Sequence, residues 1–148
     1  MTDYKREPEA ENIDKECVAT DTTDKWRENA ILHQAILFAT NAHKGQNRKG
    51  TEIPYISHPF EVAQILTSAG CKTPLIIAGL LHDVLEDTEL TSETIQKEFG
   101  PLVLSLIQSN SEDKSLSWEE RKQHTINYMT NEANLEELLL ACADKLSN

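Results

Sequence analysis

Thr73-Pro74-Leu75-Ile76-Ile77-Ala78-Gly79-Leu80-Leu81-His82-Asp83-Val84-Leu85-Glu86-Asp87 is the stretch that decides the fold. Thr73-Pro74 reads as a helix start, because proline at the first helical position gives up an N–H that would have no partner there. The helix is expected to run through Leu85. At about 100° per residue, His82, Asp83, Glu86 and Asp87 share one side, and Ile77, Ala78, Leu80, Leu81, Val84 and Leu85 occupy the rest. Three carboxylates crowded at one helix end repel one another, and a bound cation would relieve that repulsion. The plainer reading is an amphipathic helix whose charged end meets water.

Working outward, the same helical signals recur. His58-Pro59 opens a helix with His58 at the cap position and Glu61 three residues on. Val62, Ile65 and Leu66 form its apolar face, and Gly70 ends it. Further upstream, Asp24 is a reasonable N-cap. Ile31, Ala35, Phe38, Ala39 and Ala42 follow at helical spacing, up to about Gly45. Downstream, Thr91 caps a helix that stops at Phe99-Gly100, and Pro101 starts another with Leu102, Val103, Leu106 and Ile107. Ser117 and Glu120 form a capping box. Asn134 caps a seventh helix, with Leu135, Leu138, Leu139 and Cys142 expected to face inward. No alternating strand pattern of useful length is present. The expected fold class is all-α, with about seven helices. Residues 1–25 lack periodicity and read as a disordered acidic extension, which leaves 26–148 as the domain.

A chain of 148 residues suits one domain with one core. Its net charge of -11 argues against broad nucleic-acid binding, which needs Lys and Arg to neutralise phosphates. No apolar run approaches the ~20 residues of a membrane helix, and the polar N-terminus does not resemble a signal peptide. Cys17, Cys71 and Cys142 are odd in number and have no zinc-ligand spacing, so a reducing cytoplasm is the simplest compartment. From Asn29 to Thr51 there is no acidic residue, whereas Lys44, Arg48 and Lys49 lie there beside His43. Such a basic island is either a phosphate-steering patch or a solvated loop.

Asp144 follows the apolar run Leu138-Leu139-Leu140-Ala141-Cys142-Ala143. A carboxylate there is expected to be partly buried, and a buried charge needs a partner or a metal. Lys145 is the plain partner, and a simple helix cap is the plain role for His58. Taken together, His58, His82, Asp83 and Asp144 supply two imidazoles and two carboxylates. That set suits Mn²⁺, Fe²⁺, Zn²⁺ or Co²⁺ with positions left open for water.

His82-Asp83, with an upstream histidine and a downstream aspartate, resembles the HD phosphohydrolase superfamily. The nearer resemblance is to the hydrolase domain of RelA/SpoT-type alarmone enzymes, especially their small stand-alone relatives. Four segments carry it above all: Ala42-His43-Lys44-Gly45-Gln46-Asn47-Arg48-Lys49, Pro54-Tyr55-Ile56-Ser57-His58-Pro59, Leu80 to Thr88, and Ala143 to Asn148. Ser111-Glu112-Asp113-Lys114, followed by Glu120-Arg121-Lys122, is similar to a further family segment. The resemblance implies removal of the 3′-pyrophosphate of guanosine tetra- and pentaphosphate, usually with Mn²⁺. It implies His58, His82, Asp83 and Asp144 as metal ligands and Glu86 and Asp87 as the catalytic acidic pair. Arg48, Lys49, Lys145 and Asn148 become the contacts to a small guanosine polyphosphate. Family members continue past the segment matching Asn148, so the chain reads as C-terminally short. No nucleotidyltransferase-like region is present, and synthesis of the alarmone is not expected. Two alternatives stay open: another nucleotide or phosphorylated cofactor as substrate, or a truncated, non-catalytic module that binds nucleotide.

Overall fold

The computed structural model describes residues 22–111 and 114–148. Most of the proposed extension, and Glu112 and Asp113 of the quoted family segment, lie outside the described residues. Among the described residues there are seven helices: α1 (Thr22–Ala42), α2 (Ser57–Ser68), α3 (Thr73–Leu81), α4 (Val84–Asp87), α5 (Ser92–Asn110), α6 (Trp118–Asn131) and α7 (Leu135–Ser147). No strand is found among them, only an isolated bridge between Asn47 and Pro54. Among the described residues, no helix is long and apolar enough to cross a membrane.

The most apolar helix lies at the centre. Leu75, Ile77, Ala78, Gly79, Leu80 and Leu81 of α3 are all buried, against α1, α2, α5 and α7. Each fully buried Leu or Ile contributes ~1.5–3 kcal/mol relative to an exposed one. Gly79 sets the approach of α2, since a Cβ there would lie 2.7 Å from Leu66 Cδ1 and 3.2 Å from Val62 Cγ1. From α1, Ala35 and Ala39 enter the core, and Phe38 meets Phe99 of α5 edge-on at 5.2 Å.

Several expected boundaries shift. The helix expected to run from Thr73 through Leu85 is broken after Leu81. An unbroken helix would bond Gly79 C=O to the Asp83 N–H. Here the His82 side chain takes that oxygen, through Nδ1 at 2.8 Å, and α4 restarts as a separate single turn. The helices expected on either side of Gly100-Pro101 are joined end to end as α5, kinked where Gly100 adopts φ 86°. α2 starts at Ser57, which places His58 inside its first turn rather than at the cap.

The caps at Thr91, Ser117 and Asn134 all form, and the last two are full capping boxes. The inward face of α7 is corrected in part: of the residues expected inward, Leu139 packs against the core. Leu140, Ala143, Asp144 and Ser147 are buried, whereas Leu135 is exposed and Cys142 is exposed. The pattern of leucines had favoured a face rotated away from Asp144. Leu102 is likewise exposed, while Val103, Leu106 and Ile107 enter the core as expected.

Candidate metal centre

Three segments converge on one point. The first turn of α2 brings His58, the break after α3 brings His82 and Asp83, and the last turns of α7 bring Asp144. His58 Nε2 lies 3.2 Å from His82 Nε2 and 3.2 Å from Asp144 Oδ1. His82 Nε2 lies 3.7 Å from Asp144 Oδ1. Asp83 Oδ2 is 2.9 Å from His82 Nε2 and 3.6 Å from His58 Nε2. His58, His82 and Asp144 are all buried, with donor atoms within 4.8 Å of one another. The broken helix matters here, because it lets consecutive residues, His82 and Asp83, turn toward the same point.

The donor chemistry fits a divalent ion. His82 Nδ1 donates to the Gly79 carbonyl, so its Nε2 faces the cluster. Two Nε2 atoms then oppose each other beside two carboxylates. Ligand atoms each ~2.1 Å from one ion stand roughly 3.0–3.4 Å apart at tetrahedral or octahedral angles. Two of the contacts, at 3.2 Å, fall within that spread.

Charge compensates burial in the cluster. Burial alone would lower the His82 pKa, but the hydrogen bond and charge of Asp83 outweigh it and raise it. Burial would raise Asp83, but His82, Tyr55 and His58 hold its carboxyl below the usual range. Asp144 is also lowered: burial opposes ionisation, and His58, Lys145 and His82 overcome it. Both carboxylates are therefore ionised, as metal ligation requires.

The remaining expected site residues surround this centre. Lys145 Nζ is 2.7 Å from Asp144 Oδ2. Asn148 Nδ2 donates to Asp144 Oδ1 at 2.8 Å and to its carbonyl at 2.9 Å. Both residues thus hold Asp144 in place. Arg48 points inward, its Nη2 donating to the Ser147 carbonyl at 3.1 Å, whereas Lys49 is exposed. Glu86 and Asp87 stand on α4, with Lys114 Nζ 3.7 Å from Glu86 Oε2 and 3.4 Å from Asp87 Oδ1. A depression of about 420 Å³, lined by Gln46, Asp87, Thr88, Glu89 and neighbours, opens beside Asp87.

Residue-by-residue reading missed several partners. Tyr55 Oη donates to Asp83 Oδ2 at 2.5 Å, and burial together with Asp83 raises the phenol pKa. The phenol therefore stays protonated and able to donate. Gln46 Nε2 donates to the Asp87 carbonyl at 2.9 Å. Tyr55, Gln46 and Lys114 all lie in segments that carry the family resemblance, which was the available signal. The loop between α1 and α2 delivers the first two by pairing with itself: Arg48 N–H donates to Ile53 C=O and Tyr55 N–H to Gln46 C=O.

Comparison with known proteins identifies the family. A family model described as HD domain matches residues 35–147. The Drosophila melanogaster protein named guanosine-3′,5′-bis(diphosphate) 3′-pyrophosphohydrolase MESH1 is 37% identical over 81% of this chain and 68% of its own length. The Homo sapiens MESH1 is 38% identical over 82% of this chain and 69% of its own. The Escherichia coli K12 bifunctional (p)ppGpp synthase/hydrolase SpoT is 40% identical over 62% of this chain, but only 13% of its own length.

Among solved structures, that of a metazoan orthologue of SpoT that hydrolyses ppGpp aligns with a TM-score of 0.75 and 36% identity. The alignment covers 80% of this chain and 68% of that one. A Listeria monocytogenes structure aligns at TM-score 0.60 and 53% identity, covering 64% and 60%. The family implies a divalent metal, and His58, His82 and Asp144 form a group able to hold one. In fold, in sequence and in the clustering of its histidines and aspartates, this chain belongs to the HD-domain family of hydrolases.

Proposed function

We propose that the chain is a guanosine-3′,5′-bis(diphosphate) 3′-pyrophosphohydrolase that uses Mn²⁺. The observation that carries the reading is the convergence of His58, His82, Asp83 and Asp144 in a chain that matches MESH1 over about two thirds of that protein's length. In this reading those four residues hold the ion. When bound, it supplies Lewis acidity and makes a water nucleophilic near neutral pH. The arrangement of Glu86 and Asp87 on the turn that follows His82-Asp83 supports their role as the acidic pair that orients water and accepts its proton. The water oxygen bonds to the phosphorus attached to the 3′ oxygen. The bond between that phosphorus and the 3′ oxygen breaks, and the sugar oxygen leaves with a proton. The products are the guanosine 5′-diphosphate and pyrophosphate.

Arg48 and Lys49 offset the charge of the polyphosphate, as positive groups aimed at developing charge do. Lys145 and Asn148 contact the nucleotide from the Asp144 side while holding that carboxylate. A cytoplasmic setting fits a nucleotide substrate and cysteines without disulfide spacing.

Pyrophosphate release from guanosine tetraphosphate by metal-stripped protein, with and without Mn²⁺, tests the reading, with Asp83→Ala as control. Release that needs Mn²⁺ and is lost in the control is the expected result. No release from folded, Mn²⁺-loaded protein would overturn the substrate assignment and favour another phosphorylated nucleotide.

A further inference from the structure

The two histidines are held in different ways. His82 Nδ1 donates to a backbone carbonyl of its own chain segment, Gly79 C=O. His58 Nδ1 instead faces a side chain from another helix, Ser147 Oγ, at 2.9 Å. Ser147 Oγ in turn lies 2.9 Å from Glu61 Oε2. An ionised carboxylate can only accept, so the single hydroxyl proton of Ser147 goes to Glu61. The hydroxyl oxygen is then left to accept from His58 Nδ1–H. With the proton held on Nδ1, the Nε2 lone pair faces His82 Nε2 and Asp144 Oδ1. Arg48 closes the group, with Nη2 on the Ser147 carbonyl at 3.1 Å and Nη1 3.8 Å from Glu61 Oε2.

We propose that Glu61 and Ser147 are positioning residues that fix the tautomer and orientation of His58 for metal binding, with Arg48 pinning both. The proposal rests on the metal-site reading above. It gives Glu61 a purpose beyond its place on α2. It also joins a residue assigned to the nucleotide, Arg48, to a residue assigned to the metal. Hydrogen-bond partners of metal-bound imidazoles commonly contribute 10- to 100-fold in metal affinity or activity, roughly the range expected here.

Titration calorimetry of the metal-stripped chain with Mn²⁺ alone tests it, with circular dichroism verifying the fold of each variant. Ser147→Ala is expected to weaken Mn²⁺ binding about 10- to 100-fold, and Ser147→Thr, which keeps the hydroxyl, to remain within about threefold of wild type. Glu61→Ala is expected to lose about tenfold, because the freed hydroxyl no longer has a fixed direction. The Glu61 side chain is 54% exposed, so this variant reads the relay even where Ser147→Ala does not fold. Wild-type affinity in Glu61→Ala overturns the relay alone. So does an equal loss in Ser147→Ala and Ser147→Thr. A wild-type chain that binds no Mn²⁺ overturns the metal-site reading, and the relay with it.

Discussion

The site has two halves, and they are built differently. The imidazoles and Asp144 are closed off from solvent: their side chains are 0% (His82), 4% (His58) and 10% (Asp144) exposed. Each is tied by hydrogen bonds from the core helices. The acidic pair on α4 is open, with Glu86 23% and Asp87 41% exposed, and Lys114 as a solvent-facing partner. A buried charge without partners is costly, and in the first half the Asp144 carboxylate is held by Lys145 and Asn148. The second half is partly open to solvent, as the proposed exchange of protons with a substrate would require. Under the proposed function, that difference in burial would separate holding the ion from reacting with substrate.

The largest effect should come from breaking the buried half. Asp144→Ala removes a carboxylate from the centre and leaves Lys145 without its partner. We expect loss of Mn²⁺ binding by calorimetry and loss of pyrophosphate release together. Retained binding would show that the cluster is not the metal centre. Next, Glu86→Gln and Asp87→Asn should spare Mn²⁺ affinity while lowering kcat by ~10²–10⁴-fold for the residue that moves the proton. Equal losses of metal binding would erase the distinction between the halves.

Tyr55→Phe probes the border between them, since the phenol touches Asp83 from outside the cluster. It should cost about 10- to 100-fold in Mn²⁺ affinity or activity, the usual range for a partner of a ligand. The smallest effect belongs to Lys114→Ala. An exposed ion pair is worth ~0.2–1 kcal/mol, so kcat/KM should fall by less than about tenfold with metal binding intact. A larger loss would assign Lys114 a direct contact with substrate.

Much of the helical order is local physics and is therefore written in the chain. Thr91, Ser117 and Asn134 cap where their side chains can reach the free N–H groups of the next turn. The Ile31–Ala42 spacing buries Ala35 and Ala39 on one stripe. Naming His58, His82, Asp83 and Asp144 as a group comes instead from their donor types and from the family resemblance of the segments that contain them. The α7 face was not legible in the same way. Its many leucines offer more than one apolar stripe, and packing against α2 and α3 chose the one that carries Asp144 and Ser147.

The sequence by itself determined an all-α chain, the caps at Thr91, Ser117 and Asn134, and the residue types able to hold a divalent ion. Only the tertiary structure decided how those residues are aimed. The break after Leu81 arises because His82, once packed in the core, takes the Gly79 carbonyl that would have continued the helix. The Glu61–Ser147–His58 contacts join residues as far as 89 positions apart. Helical periodicity reports neighbours three or four residues away. The contacts of α2 with α7, and of both with α3, belong to the packed core.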